Sequence, residues 1–166
     1  LLEKAMQAGA RRIELCDNLA VGGTTPSYGV TKAAVELASN YDTTIMTMIR
    51  PRGGDFVYND LEIAIMLEDI RLTAQAGSQG VVFGALTADK KLDKSNLEKL
   101  IAASKGMEIV FHMAFDELSD EDQLEAIDWL SQVGVTRILT RAGVSGDSLE
   151  KRFAHYHRIL EHAAGK

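Results

Sequence analysis

Short apolar runs alternate along the chain with longer segments whose apolar residues recur at helical spacing. Runs of this length, about 30 residues apart, are typical of β-strands joined by crossover helices. We therefore predict five strands, at residues 12–15, 44–49, 80–85, 107–114 and 136–140.

The segments between these runs carry signals for the beginnings and ends of helices. A polar residue followed three positions later by an acidic one favours a capped N-terminus, because the two can satisfy each other's free backbone amides. This spacing occurs at Asn59 with Glu62, Ser95 with Glu98 and Ser119 with Asp122. Pro26 is expected in the first turn of another helix. Three helices are predicted to end, just before strands, at Gly9, Gly77 and Gly134.

Repeated helix–glycine–strand units predict an α/β fold with parallel strands, because each crossover helix returns the chain to the same end of the sheet. We expect a TIM-type (β/α)8 barrel, present here as an incomplete barrel of about five parallel strands and six helices. In this interpretation residues 1–166 form a single (β/α) barrel domain that lacks the first strand and the last two strand–helix units. The alternative is a complete open sheet of five strands.

Composition narrows the classes of partner. The formal net charge is −6, with 18 basic and 24 acidic residues mixed along the chain, so no basic stripe predicts a nucleic-acid surface. No apolar run approaches the length of a membrane-spanning helix, and we expect no membrane partner. The single cysteine, Cys16, fits a reducing compartment, and we predict a cytoplasmic location.

Polar residues at the carboxyl ends of the strands are candidates for function, because ligands of parallel α/β proteins bind there. Side chains alternate across a strand, so Glu14 and Cys16 should face inward while Ile13 and Leu15 face the helices. The same alternation predicts an inward direction for three further strand-end residues: Arg50, His112 and Thr140.

Each of these side chains also has a purely structural interpretation. Glu14 and Arg50 could form a buried ion pair, and Cys16 could be an inert core residue. His112 could be a satisfied core histidine, although Asp116 follows it with the same parity and favours a functional role. The remaining histidines are predicted to lie on the surface of the last helix: His155, His157 and His162.

A loop rich in arginine and glycine follows the second predicted strand. Its sequence is Arg50-Pro51-Arg52-Gly53-Gly54-Asp55. Arginines offer fixed donor pairs for carboxylate or phosphate, and the glycines allow backbone amides to converge on an anion. The alternative is a strand-to-helix turn whose arginines pair with neighbouring acids. A second glycine pair, Gly22-Gly23, follows the first strand, but neither loop matches a nucleotide-binding fingerprint.

Several blocks of the sequence together resemble the copper homeostasis protein CutC family. The blocks are Arg12-Ile13-Glu14-Leu15-Cys16, residues 22–29, residues 49–56, Met66-Leu67-Glu68-Asp69 and residues 111–116, and they occur in the family's order over most of the chain. The resemblance implies a (β/α)8 barrel, a cytoplasmic location and a role in Cu(I) handling through cysteines, one of which matches Cys16. The sequence departs from the family pattern in three ways: the family's first strand, which carries another cysteine, is absent, the last two strand–helix units are absent, and Met113 stands where the family often has arginine.

Two functions from different classes remain open. The first is a copper-binding protein of CutC type, in which Cys16 supplies a thiolate for Cu(I), Met46 or Met48 lends a thioether, and Arg50 favours the thiolate form.

The second function is a barrel enzyme for a small phosphorylated or carboxylated substrate, because most polar groups at the strand ends are hard rather than soft ligands. The groups that would hold the anion are Arg50, Arg52, Gly53 and Gly54. His112 would move a proton, oriented by Asp116 or Glu14. The open edges of an incomplete barrel also predict a homo-oligomer.

Overall fold

The computed structural model describes residues 1–143 and 146–166. Within them, five strands form one sheet in the order β1-β2-β3-β4-β5, and every neighbouring pair is parallel. The strands are β1 (Arg12–Leu15), β2 (Thr44–Met48), β3 (Gly80–Phe83), β4 (Glu108–Phe111) and β5 (Arg137–Ile138). The sheet curls into part of a barrel, and the predicted α/β barrel fold with five parallel strands is confirmed.

Six α-helices accompany the strands in the described residues, as predicted. They are α1 (Leu2–Gln7), α2 (Tyr28–Ala38), α3 (Asp60–Gln75), α4 (Lys94–Ala103), α5 (Asp120–Gln132) and α6 (Leu149–Ala163). Two short 3-10 helices, Leu19–Val21 and Met113–Glu117, lie in the loops after β1 and β4. None of these helices is long and apolar enough to cross a membrane.

The helix N-termini agree with the sequence at two of the four predicted positions. Asn59 forms the complete capping box of α3 with Glu62, and the Ser119 side chain caps α5. The prediction at Ser95 is wrong, because α4 begins two residues earlier and its N-cap is Asp93. The prediction at Pro26 is also wrong by position. Ser27 caps α2, so the proline precedes the helix and lies outside its first turn.

The predicted helix ends are confirmed by backbone conformation. Gly9, Gly77 and Gly134 have φ angles of +91°, +86° and +90°. These left-handed values are costly for residues with a Cβ atom, which explains why glycine follows the last turn of α1, α3 and α5.

Alternating strand residues divide the core into two layers. The outer layer packs the sheet against the helices and includes Val81, Phe83 and Phe111, which are fully buried. The inner layer faces the barrel interior and contains Met46, Met48, Val82 and Val110, with Cys16 packed against them. Leu15 belongs to an outer cluster with α1 and α2, so Cys16 and Leu15 lie on opposite faces as the alternation predicts.

Two histidines of α6 hold this helix against α5. His155 Nε2 lies 2.8 Å from Gln123 Oε1, and His162 Nε2 lies 2.9 Å from Asp128 Oδ1. Both rings are partly buried, so the prediction of surface histidines is wrong for them and right only for the exposed His157.

Candidate functional site

A cavity of about 270 Å³ opens at the carboxyl ends of the strands, and we call it the mouth cavity. Three residues predicted to face inward line it: Glu14 after β1, Arg50 after β2 and His112 after β4. The rest of its wall comes from strand ends and loops, namely Val21, Gly22, Met48, Gly54, Phe56, Met113, Glu117, Leu139 and Arg141.

Arg50 is a buried residue, with 5% of its surface exposed, and its guanidinium binds backbone carbonyls. Nη1 donates to the carbonyls of Val21 at 2.9 Å and Gly23 at 3.1 Å, and Nη2 donates to the carbonyl of Gly54 at 2.7 Å. The side chain therefore joins the two glycine loops predicted from the sequence. Its Nε is buried and has no hydrogen-bond partner among the described residues. The alternative of a buried Glu14–Arg50 ion pair does not occur in the described structure.

The backbone of Arg50 is fixed by Thr25, a residue that the strand pattern did not single out. Arg50 N donates to Thr25 Oγ1 at 2.9 Å, and Thr25 N donates to the Arg50 carbonyl at 2.9 Å. The guanidinium also lies over the Phe56 ring, 4.8 Å from its centroid. Cation and ring therefore fix each other in the cavity wall.

His112 is buried beside Arg50 in a neutral form. Its Nδ1 accepts a hydrogen bond from the Ala114 amide at 3.2 Å, which places the ring proton on Nε2. Burial, and then the nearby charge of Arg50, lower the pKa of His112 to about 3. Nε2 is buried and has no partner in the described part of the chain. His112 is therefore a hydrogen-bond donor at neutral pH and does not titrate there.

Glu14 and Cys16 interact with each other. Cys16 Sγ donates to Glu14 Oε1 at 3.5 Å. Burial, followed by the charge and hydrogen bond of Glu14, raises the pKa of the Cys16 thiol to about 12. The expectation that Arg50 would favour a thiolate is wrong, because the closest charge is that of a carboxylate. Glu14 is exposed to solvent, but surrounding protein atoms partly desolvate its carboxyl and raise its pKa. The hydrogen bond from Cys16 lowers the pKa and only partly opposes this rise.

Asp116 is directed away from His112. Its Oδ1 accepts a hydrogen bond from the hydroxyl of Thr140, and its Oδ2 accepts one from the Arg141 amide at 3.0 Å. Asp116 therefore anchors the loop after β5. The expectation that it orients His112 is wrong, because the 3-10 helix Met113–Glu117 interrupts the strand alternation before Asp116 is reached. Thr140 is occupied by the same contact.

Arg52 pairs with neighbouring acids, as the alternative interpretation of this loop predicted. Its guanidinium binds Glu62 and Asp55 and donates to backbone carbonyls of its own loop. Gly53 packs against Val21, where an added Cβ would lie 2.7 Å from the Val21 Cβ. In the described structure, Arg52 and Gly53 do not line the mouth cavity, whereas Gly54 does.

Soft sulfur ligands lie close to the mouth cavity. Cys16 packs against the inner cluster that contains Met46 and Met48. An added Cβ at Gly23 would lie 3.1 Å from Cys16 Sγ and 3.6 Å from Met48 Cε, which places both side chains against this glycine. Met46 instead covers Gly80 on β3. In the ranges 1–143 and 146–166, no three His, Cys, Asp or Glu side chains are grouped closely enough to hold a metal ion.

The wall residues that reasoning from the sequence did not assign to a site include Phe56, Met113, Glu117, Leu139 and Arg141. They lie in loops or in the 3-10 helix, where no strand or helix period applies. The signal that could have identified Phe56 was its place directly after the arginine–glycine loop.

Comparison with known proteins gives a consistent result. The model of the CutC family matches residues 1–166. A CutC family protein of Enterococcus faecalis is 50% identical over 162 residues, which cover 98% of this chain and 78% of that protein. A human protein named copper homeostasis protein cutC homolog is 41% identical over 162 residues, covering 98% of this chain and 57% of the human one. The chain thus spans between about half and four fifths of the length of the curated relatives that it matches.

Solved structures support the same fold. The crystal structure of a CutC protein from Streptococcus agalactiae matches with a TM-score of 0.94 and 44% identity, over 99% of this chain and 78% of that chain. An archaeal fructose 1,6-bisphosphate aldolase matches with a TM-score of 0.66 and 14% identity, over 99% of this chain and 62% of the aldolase. At that identity the likeness to the aldolase concerns the fold alone.

Proposed function

The chain belongs to the CutC family, and from this premise we propose that it serves copper homeostasis by binding a small molecule in the mouth cavity through a carboxylate, phosphate or carbonyl oxygen. The observation that carries the proposal is a pair of buried donors without acceptors in the described structure, Arg50 Nε and His112 Nε2. Buried donors are normally paired, because leaving one unpaired costs about 1–3 kcal/mol. A ligand oxygen would supply the acceptor that both groups lack.

The two donors are suited to this role by their charge states. Arg50 carries a permanent positive charge, and its carbonyl contacts hold it in place. His112 stays neutral because burial and Arg50 lower its pKa to about 3, so it donates from Nε2 without changing charge. The Gly54 backbone lies in the same wall.

A proton-transfer step in this cavity would fall to Glu14. Its pKa is raised because the surrounding protein partly excludes water from the carboxyl, and a raised carboxyl pKa moves the group towards neutral pH, as general acid–base chemistry requires. We therefore assign the proton-carrying role to Glu14 and the donor role to His112, in place of the earlier hypothesis that His112 titrates. Asp116, Arg52 and Gly53 support the surrounding loops in this proposal.

Phosphate and acetate should raise the melting temperature of the protein at constant ionic strength, with chloride as the reference, because a ligand that binds the folded state stabilises it. The variant His112→Asn keeps an acceptor near the Ala114 amide but removes the Nε2 donor. We expect this variant to bind the stabilising anion, phosphate or acetate, about tenfold more weakly, since leaving a buried hydrogen-bonding group without its partner costs about 1–3 kcal/mol. The matched control is His157→Asn, which changes an exposed histidine on α6 and should respond like the parent. Equal responses in the parent and His112→Asn, or none in the parent, would contradict the proposal.

A second candidate is direct Cu(I) binding, which the juxtaposition of Cys16 and Met48 beside Gly23 favours. Thiolate and thioether are the soft ligands that Cu(I) prefers. The thiol must first lose a proton, and burial together with Glu14 opposes this by raising its pKa to about 12. A bound metal reverses that balance, because a coordinating thiol is deprotonated.

Competition titrations with a Cu(I) chelator should show that Cys16→Ser binds Cu(I) at least about tenfold more weakly than the parent, as loss of a metal ligand requires. Met48→Leu should also weaken binding. Met46→Leu is the matched control and should not, because Met46 covers Gly80. Apparent affinity should rise about tenfold for each unit of pH between 6 and 8, because one proton leaves the thiol when the metal binds. This candidate fails if Cys16→Ser equals the parent, or if Met46→Leu weakens binding as much as Met48→Leu.

The cytoplasmic location and the homo-oligomer remain part of the proposal. A free cysteine is stable in a reducing compartment, which supports the first. Measurement of the molar mass in solution tests the second.

A further inference from the structure

A second cavity, which we call the outer cleft, shares part of its wall with the mouth cavity. Its volume is about 510 Å³, and it lies between the β2–α3 loop and the β3–α4 loop. Three residues line both cavities: Gly54, Phe56 and Glu117. The mouth cavity and the outer cleft are therefore adjacent spaces.

Phe56 belongs to the walls of both cavities and lies next to the two donors. Its centroid lies 4.8 Å from the Arg50 guanidinium carbon and 4.8 Å from the centroid of the His112 ring. Its backbone carbonyl accepts a hydrogen bond from the Leu86 amide at 2.9 Å, which ties the β2–α3 loop to the β3–α4 loop. The head of a ligand bound by Arg50 and His112 would thus lie next to Phe56, which also lines the outer cleft.

The far side of the outer cleft is a closed turn. Thr87 N donates to the Lys91 carbonyl at 2.8 Å, and Lys90 N donates to the Thr87 carbonyl at 2.9 Å. Lys90 adopts a left-handed conformation with φ of +58°, and its Nζ lies 3.3 Å from Glu117 Oε2. These hydrogen bonds and the Lys90–Glu117 ion pair order the rim of the cleft.

The surface between Phe56 and this rim is largely apolar. It is lined by Phe56, Val57, Leu86 and Ala88, while the charged groups Asp55, Lys90 and Glu117 lie on exposed positions around it. An apolar floor with a charged rim suits a hydrocarbon segment more than a compact polar one, because apolar burial scales with the area removed from water.

We propose that the outer cleft is the second half of the ligand site, so that the ligand is an elongated acid whose polar head lies in the mouth cavity and whose apolar chain lies along Phe56 and Leu86. The inference rests on the proposed function, because the head is held by Arg50 and His112. It adds the chemical class of the ligand, which the donors alone do not define.

The test is a nuclear magnetic resonance titration of the whole chain with acetate, butanoate and hexanoate at constant ionic strength. In the parent, affinity should rise with each added methylene, by up to about fourfold, as burial of a CH₂ group predicts. The variant Ala88→Trp fills the cleft from an exposed position, and it should bind acetate like the parent but lose the gain from longer chains. Ala64→Trp is the matched control, since Ala64 is exposed on α3 away from both cavities, and it should keep the gain.

The outcomes separate this inference from the function on which it rests. If acetate binds but longer chains bind no better, the outer cleft is not a subsite, and the proposed function stands. Persistence of the chain-length gain in Ala88→Trp likewise overturns the inference alone. Absence of binding by every acid overturns the inference, and absence of binding by phosphate as well overturns the proposed function.

Discussion

Replacement of Arg50 by alanine is expected to lower the free energy of unfolding by about 3–5 kcal/mol, because removal of one partner from a buried charged network leaves the other groups unsatisfied. Three carbonyls, those of Val21, Gly23 and Gly54, would lose their donor. Phe56 would also lose the cation over its ring. Urea denaturation followed by circular dichroism measures the change.

Arg52→Ala is the matched control, because it removes the same side chain from the same loop. The Arg52 side chain is 37% exposed, and its partners Glu62 and Asp55 can be solvated when it is removed. We expect a loss of about 1 kcal/mol or less, as is usual for exposed ion pairs. Equal losses in the two variants would show that Arg50 does not organise the glycine loops. Because Arg50→Ala is expected to destabilise the fold itself, it is a poor probe of ligand binding, and His112→Asn serves that purpose better.

Strand alternation was sufficient to bring Glu14, Arg50 and His112 to one cavity, because the direction of a side chain on a strand is a local property of the backbone. The same reasoning failed at Asp116. A 3-10 helix begins at Met113, and the period of two residues no longer applies beyond it. Alternation therefore predicts residues up to the end of a strand but not past it.

The partners of the site residues could not be predicted from the sequence. Two polar side chains at capping distance compete at the start of α4, and Asp93 caps the helix in place of Ser95 because it has Asn96 as a partner for both its oxygens. Arg50 pairs with carbonyls from a loop that lies 27 and 29 residues earlier in the chain. Such contacts depend on loop conformations that no local pattern encodes.

The charge states of the site also depend on the three-dimensional arrangement. From the sequence, Arg50 was expected to stabilise a thiolate at Cys16, yet Glu14 is the charged group that contacts the sulfur. Burial and then Glu14 raise the pKa of Cys16, whereas burial and then Arg50 lower the pKa of His112. Burial and Arg50 thus keep the imidazole neutral, and burial and Glu14 keep the thiol protonated.

Gly84→Ala is expected to lower the free energy of unfolding by about 2–3 kcal/mol, the usual cost of overpacking a well-packed site. An added Cβ at Gly84 would lie 2.7 Å from both Cε1 and Nδ1 of His112 and 3.1 Å from the Ala114 Cβ. The imidazole is buried against Phe56 and Phe111, and its free side faces the mouth cavity. The ring must therefore shift, and its hydrogen bond with the Ala114 amide must weaken. Thermal and urea denaturation measure the stability. Phosphate and acetate titrations measure anion affinity, which should fall if Nε2 is displaced.

Gly29→Ala provides the control with the opposite sign. Gly29 lies in the first turn of α2, and an added Cβ there would meet no atom within 4 Å. Alanine should stabilise the helix by up to about 1 kcal/mol, because it restricts the unfolded chain and favours helical backbone. Anion binding should be unchanged in Gly29→Ala and weakened in Gly84→Ala. If Gly84→Ala loses stability but binds the anions like the parent, then the position of the His112 ring does not determine binding, and the donor role of Nε2 must be abandoned.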